Sequence, residues 1–148
     1  MKRILSLFVC SILLFSFFHP VAATENETTV LYQEIDLGNG ITAIDEIIEH
    51  SHYRTTAKVA SKSRTIKDGD TVIGKITIKA TFHYDGTTVS VASKEVTQAD
   101  AYEGWSYVQN SFTSTGGTVK LEGKLTKWII LNTSFTLTLS CDKNGNLS

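Results

Sequence analysis

Residues 71–84, TVIGKITIKATFHY, alternate apolar and polar side chains over a length that suits an extended strand. Successive side chains of a β-strand point to opposite faces of the sheet, so a period of two separates a core face from a solvent face. The predicted core face comprises Val72, Gly74, Ile76, Ile78, Ala80, Phe82 and Tyr84. The predicted solvent face comprises Lys75, Thr77, Lys79, Thr81 and His83. This segment therefore predicts a strand that is buried on one side.

Asp85 and Gly86 follow this strand, and Val89 and Val91 then resume the alternation, which predicts a β-hairpin. The same pattern, a short apolar segment followed by a turn, recurs along the chain. Further turns are predicted at residues 38–40, 68–70, 116–117 and 143–145. Short strands at hairpin spacing predict an all-β antiparallel β-sandwich, immunoglobulin-like or related, with a small β-barrel as the alternative.

Two segments are ambiguous in secondary structure. Residues 41–49 are rich in isoleucine and follow a glycine turn, which favours a strand, although their apolar spacing also fits a helix. Residues 97–104, TQADAYEG, are predicted to form a loop or a single helical turn between sheets.

The first 23 residues have the order of a secretory signal peptide. Lys2 and Arg3 precede an apolar run over residues 4–18, and small residues at 21–23 fit a cleavage site after Ala23. The run is shorter than the roughly 20 residues that cross a bilayer, so we expect removal of the segment and no stable membrane insertion afterwards. Residues 24–29 are predicted to be a loose terminus, and residues 30–148 a single domain. The expected location is outside the cell.

Charge and cysteine content narrow the expected partners. Without residues 1–23 the chain has 12 basic and 15 acidic residues, mixed along its length, and so lacks the basic stripe of a nucleic-acid-binding protein. Lysines along the predicted edge strands suggest a monomer. Cys10 leaves with the leader, so Cys141 is a lone cysteine, and its phase with Leu137 and Leu139 points it into the core as an inert thiol.

The segments ITIKATFHYDG, YEGWSY and TLTLSCDKNGNLS, together with the leader, resemble short exported proteins of Gram-positive bacteria that consist of one β-sandwich and have no assigned activity. The resemblance covers residues 24–148 and is one of general pattern. It implies a fold and a compartment, and it brings no catalytic or binding residues.

Histidines supply one candidate site. His50 and His52 lie two residues apart, so on a strand both imidazoles would point to the same side, as in two-histidine metal sites, with His83 as a third ligand. Glu46 or Asp85 could orient the rings. A rise in thermal stability with added zinc, absent in a His50→Ala, His52→Ala variant, would test this metal-binding alternative. The ligand set is incomplete, so no cofactor is expected.

Aromatic residues supply the second candidate site. Tyr102, Trp105 and Tyr107 cluster in YEGWSY, and Trp128 follows later; exposed rings of this kind can bind a protein or stack on a sugar. The alternation favours an inward, core position for Trp105 and places Trp128 on the outward phase of its strand, where it could mark a partner surface.

The sequence offers less support for a catalytic site than for the two candidate sites above. The chain has no G-x-S-x-G motif, and no pair of carboxylates is marked as facing across a cleft among Asp45, Glu46, Glu49, Asp100 and Glu103. The sequence therefore predicts a secreted, non-enzymatic protein that recognises an extracellular protein or carbohydrate. An exported effector or antimicrobial protein is the alternative.

Overall fold

The computed structural model describes residues 27–50, 56–128 and 130–148, which form eight β-strands. The predicted signal peptide and His52 lie outside this part of the chain. The strands are β1 Glu27–Gly38, β2 Ile41–His50, β3 Ala57–Asp68, β4 Thr71–Tyr84, β5 Val89–Ala101, β6 Ser106–Thr115, β7 Thr118–Lys127 and β8 Leu131–Ser140. In these three ranges, no helix has the length and apolar character needed to cross a membrane.

The strands form two antiparallel sheets. One has the order β1-β2-β3-β4-β5 and the other the order β6-β7-β8, so each hydrogen-bonded neighbour is also the neighbour in sequence. The predicted all-β sandwich is confirmed. Two meanders replace the Greek-key order of immunoglobulin domains, and because no described strand of one sheet pairs with the other, the barrel alternative is wrong.

The core lies between the sheets and follows the predicted period of two. On the large sheet, Ile76, Ile78, Ala80 and Phe82 of β4 are buried. They face Val119, Leu121 and Leu125 of β7 and Phe135, Leu137, Leu139 and Cys141 at the end of the chain, all of them buried. The inward position predicted for Cys141 is thus confirmed.

Local departures from the predicted pattern have identifiable causes. Val72, predicted to be inward, is exposed, and Ile73 is buried instead, because Ile66 pairs with Gly74 while Lys67 pairs with Val72. The extra residue in β4 is a β-bulge, which reverses the facing of the side chains before it.

The two ambiguous segments are also resolved. Residues 41–49 lie in β2, as predicted, whereas β5 continues to Ala101, so most of residues 97–104 is strand rather than loop or helical turn. β1 begins at Glu27, so residues 27–29, predicted to be loose, belong to a strand that pairs with β2.

A buried arginine pairs with an aspartate of its own sheet and also contacts the other sheet. Arg64 on β3 donates from Nε to Asp45 Oδ1 of β2 at 2.5 Å and from Nη2 to Asp45 Oδ2 at 2.6 Å. Its Nη1 donates to the backbone carbonyl of Thr136 in β8 at 2.9 Å. Asp45 is 2% exposed and Arg64 6%. We call this set of three hydrogen bonds the Arg64 bridge.

Lys62 lies beside the Arg64 bridge. Its Nζ is 3.8 Å from Asp45 Oδ2, and the residue is buried. Burial lowers the pKa of Lys62 from its ordinary value of 10.5, and this effect outweighs the attraction of Asp45, which acts in the opposite direction; Arg64 lowers the pKa further. Buried as an ammonium ion, Lys62 therefore opposes folding.

We expect Asp45→Ala to lower the free energy of unfolding by about 3–5 kcal/mol, because Arg64 would remain buried without its carboxylate. Urea denaturation measures this change. An Asp45→Leu, Lys62→Met, Arg64→Met variant should recover most of the loss, since it removes all three buried charges. The control is Glu122→Ala, which breaks the exposed pair with Lys120 and should cost less than about 1 kcal/mol. Equal losses in Asp45→Ala and the control would contradict a structural role for the bridge.

We expect Lys62→Met to stabilise the protein at neutral pH. Because the native pKa of Lys62 is lowered, the unfolded chain binds more protons between that pKa and 10.5, so wild-type stability rises with pH in this interval. The advantage of Lys62→Met should therefore shrink as the pH approaches 10.5. Urea denaturation across this range measures it, with exposed Lys143→Met as the control. A pH-independent advantage would contradict the lowered pKa.

Candidate functional site

Four chain connections lie at one end of the sandwich because each follows an odd-numbered strand. They join β1 to β2, β3 to β4, β5 to β6 and β7 to β8. We define the turn end as the described residues of these connections and their flanks, 36–41, 67–72, 100–106, 127–128 and 130–133. The candidate functional surface lies here.

Backbone and side-chain contacts hold the turn end together. Gly69 N donates to Gly40 O at 3.2 Å, which connects the β1–β2 and β3–β4 turns. Tyr102 N donates to Ile73 O at 3.0 Å, which attaches the β5–β6 loop to the start of β4. A Cβ atom on Gly104 would lie 3.8 Å from Lys127 Cε, so the β5–β6 loop and the β7–β8 turn are also adjacent. The four connections therefore form one surface.

The β7–β8 turn and the first residue of β8 carry large exposed apolar side chains. Trp128 is 79% exposed, Ile130 78% and Leu131 49%. We call these three residues the apolar tip. Neither Ile130 nor Leu131 was singled out by the sequence reasoning, although an apolar run in place of a glycine turn, KWIIL, is a signal that could have found them.

Trp128 adopts a backbone conformation that suits glycine. Its φ is +54°, in the left-handed region, where a bulky side chain costs about 1 kcal/mol or more. The other hairpin turns at this end place glycine or asparagine at positive φ, namely Gly38, Asn39, Gly40 and Gly69. The exposure predicted for Trp128 is confirmed, but it arises from this turn conformation and not from the strand phase.

The other predicted aromatic residues separate into three environments. Trp105 is 8% exposed and belongs to the core, as its alternation predicted, so its ring is not part of a surface platform. Tyr107 is half-buried and stacks on Phe135 with ring centroids 6.2 Å apart, and burial raises its pKa. Tyr102 is exposed at the turn end, and its hydroxyl donates to Asp100 Oδ2 at 3.3 Å. Of these four aromatic residues, Tyr102 and Trp128 are the ones exposed at the turn end.

The histidine candidates occupy the opposite end of the sandwich. His50 is buried, and its Nε2 shares a hydrogen bond of 3.0 Å with Ser61 Oγ. His83 is exposed on β4, two strands away from His50. In the described ranges no three metal-ligating side chains come together. With His52 outside those ranges, the three-histidine site stays a prediction.

His50 also lies between a serine and a glutamate. Its Nδ1 is 3.2 Å from Glu27 Oε1 but lacks hydrogen-bond geometry, and Glu27 is exposed. Ser61 is 8% exposed and lies inside β3, which pairs with strands on both sides. Its neighbouring amides belong to the sheet, so they cannot form an oxyanion hole. The order Ser-His-Glu resembles a catalytic triad, but these contacts serve to connect β1, β2 and β3.

Asp85, the aspartate of the HYDG segment, stabilises its own turn. Its Oδ1 accepts hydrogen bonds from Thr87 N at 2.8 Å and Thr88 N at 2.6 Å, and Oδ2 accepts one from Thr88 Oγ1. These bonds lower the pKa of Asp85, that from Thr88 N contributing most. Asp85 therefore stabilises its turn with both carboxylate oxygens and is not oriented towards a histidine ring of the described residues.

Cys141 is correspondingly inert. Burial raises the pKa of its thiol, the opposite of what a reactive cysteine needs. Of the carboxylates considered for catalysis, Asp45 belongs to the Arg64 bridge and Glu49 contacts Lys58 at 3.0 Å. Asp100 and Glu103 lie exposed at the turn end.

A small cleft opens beside the apolar tip. Its volume is about 140 Å³, and it is lined by Asn39, Ile41, Asp68, Trp105, Leu131, Asn132 and Thr133. Sites for drug-sized ligands usually measure about 300–1,000 Å³, so this cleft suits one side chain of a partner better than a whole small molecule.

Comparisons with protein-family models, with curated proteins and with solved structures find no match to this chain.

We expect a fluorophosphonate probe, which reacts with activated serines, to leave Ser61 unmodified at neutral pH. Ser61 is buried and has no oxyanion donors, so the adduct could not form without opening the sheet. Intact-protein mass spectrometry measures the modification. A mass increase in the wild type that disappears in Ser61→Ala, but persists in exposed Ser114→Ala, would instead indicate a working nucleophile.

Proposed function

We propose that this protein is a binding module that docks a partner protein at the turn end, with the apolar tip as its main contact. The main support for this proposal is Trp128, whose side chain is 79% exposed and whose backbone φ is +54°. Neither packing nor backbone preference accounts for a tryptophan at this position. Tryptophan is, however, among the residues that contribute most to protein interfaces.

The chemistry of the apolar tip favours a protein partner over a sugar. Trp128 is accompanied by aliphatic Ile130 and Leu131, and Val72 is exposed on the same end. Aliphatic side chains gain from burial against apolar surface but offer no flat face for a pyranose ring. An apolar centre with polar surroundings is the usual composition of a protein interface.

The proposed action is extracellular and non-enzymatic. The leader pattern of residues 1–23 supports export, and so does the resemblance to small exported proteins of Gram-positive bacteria. The absence of a competent acid–base or nucleophilic arrangement among the described side chains supports binding rather than catalysis. In the proposed function, the protein therefore binds its partner outside the cell.

We expect Trp128→Asn to weaken partner binding without loss of stability. Asparagine tolerates the left-handed conformation, so thermal stability should be unchanged or should rise by up to about 1 kcal/mol. Random peptides displayed on phage are selected on the wild-type protein, and their affinities are compared by fluorescence anisotropy. A tryptophan at the centre of an interface is worth about 2 kcal/mol or more, so binding should weaken by about 30-fold.

Tyr32→Asn is the matched control, because Tyr32 is 67% exposed on β1, outside the turn end. It should leave peptide affinity unchanged. If every selected peptide binds wild type and Trp128→Asn equally, the turn end is not the docking surface. If no selected peptide depends on Trp128 but a glycan array shows Trp128-dependent binding, the partner is a sugar and not a protein.

A further inference from the structure

The turn end carries a concentrated negative charge. Its residues include five carboxylates and two lysines, which gives a formal net charge of −3. The acidic residues are Asp36, Asp68, Asp70, Asp100 and Glu103, and the basic ones are Lys67 and Lys127. The chain from residue 24 onwards also has a net charge of −3, so its other charges cancel. The net negative charge of the molecule is thus located at the end of the sandwich that carries the apolar tip.

Three of these carboxylates lie on the β3–β4 and β5–β6 connections, which neighbour the β7–β8 turn. Asp68 lines the same cleft as Leu131, and Asp70 follows it in the β3–β4 turn. Glu103 precedes Gly104, whose neighbour across the surface is Lys127. Asp68, Asp70 and Glu103 are all exposed. We call these three residues the acidic rim.

Some aspartates hold their own turns together, as Asp36 does at the turn end by accepting from Gly38 N at 2.7 Å, and as two aspartates do at the opposite end of the sandwich. There Asp85 and Asp142 accept several hydrogen bonds from their own turns, with Asp142 Oδ1 accepting from Asn144 N at 2.8 Å and Asn146 N at 2.9 Å. Those aspartates have a local structural purpose. The acidic rim combines instead with an exposed apolar centre, as one half of a complementary interface would.

We infer that the partner presents an apolar recess bordered by lysine or arginine residues. This inference rests on the proposed function and specifies the chemistry of the partner. Opposite charges around an apolar contact accelerate association and exclude unsuitable partners. The rim also disfavours a second copy of this chain, whose turn end is equally negative, and an anionic lipid surface.

The composition of selected peptides tests the inference. Phage-displayed random peptides are selected on the wild-type protein and counter-selected on Trp128→Asn, so that the retained peptides depend on the apolar tip. We expect the retained peptides to combine apolar residues with lysine or arginine. Retained peptides that are neutral or acidic would overturn the inference while leaving the proposed function intact. If no peptide is retained, the proposed function itself fails.

Charge neutralisation provides the quantitative test. In Asp68→Asn, Asp70→Asn, association of a retained peptide should slow by about tenfold at low salt, and its salt dependence should weaken. The control Glu34→Gln, Glu95→Gln removes two exposed carboxylates outside the turn end and should change little. Equal effects of both double variants would attribute the charge dependence to overall net charge and overturn the role of the rim.

Two further experiments test whether the apolar tip binds a lipid surface or a second copy of this chain. Sedimentation with phosphatidylcholine vesicles and with phosphatidylcholine–phosphatidylglycerol vesicles should show no Trp128-dependent binding. Analytical ultracentrifugation should show a monomer. Trp128-dependent binding to either vesicle, or Trp128-dependent dimers, would overturn the assignment to a basic protein partner.

Discussion

The Arg64 bridge is the interaction on which the arrangement of the two sheets depends. Burial of apolar side chains supplies most of the driving force for folding, but it is non-directional and permits several placements of one sheet over another. The bridge is directional: it requires Asp45 opposite Arg64 in the β2–β3 register and Thr136 above β3. A slip of one residue in β2 or β3 would turn one of these side chains to the solvent face. The bridge therefore determines the register and the placement of β8 together.

The surface at the turn end follows from that placement. Because both sheets are meanders, every second connection falls at the same end, and the β5–β6 loop crosses there from one sheet to the other. Trp105 at the end of this loop is buried in the core and fixes the crossing. The β7–β8 turn is carried by β8, the strand that the Arg64 bridge attaches to the large sheet. The apolar tip thus lies next to a strand that is hydrogen-bonded to β7 and to Arg64 of the large sheet.

The sequence predicted the strands and their core faces well, because a period of two is local information. It predicted the burial of Trp105 and Cys141 for the same reason. It could not reveal the bulge that exchanges Val72 and Ile73, since a bulge depends on pairing with the neighbouring strand. The charges at Asp45, Lys62 and Arg64 occupy positions of the inward phase, but only the placement of Thr136 over β3 explains how Arg64 is accommodated. Exposure of Trp128 was predicted from strand phase, whereas the turn conformation causes it.

An exposed apolar tip is a liability for a protein in solution, because apolar patches on separate copies attract one another. The acidic rim opposes that attraction, since two turn ends that approach each other bring together equal negative charges. The acidic rim would likewise repel an anionic partner and attract a basic one. One distribution of charge can therefore keep copies of the chain apart and select the partner to which the apolar tip binds. Recognition and solubility then depend on the same few carboxylates, and exchanging those for amides should weaken both properties together.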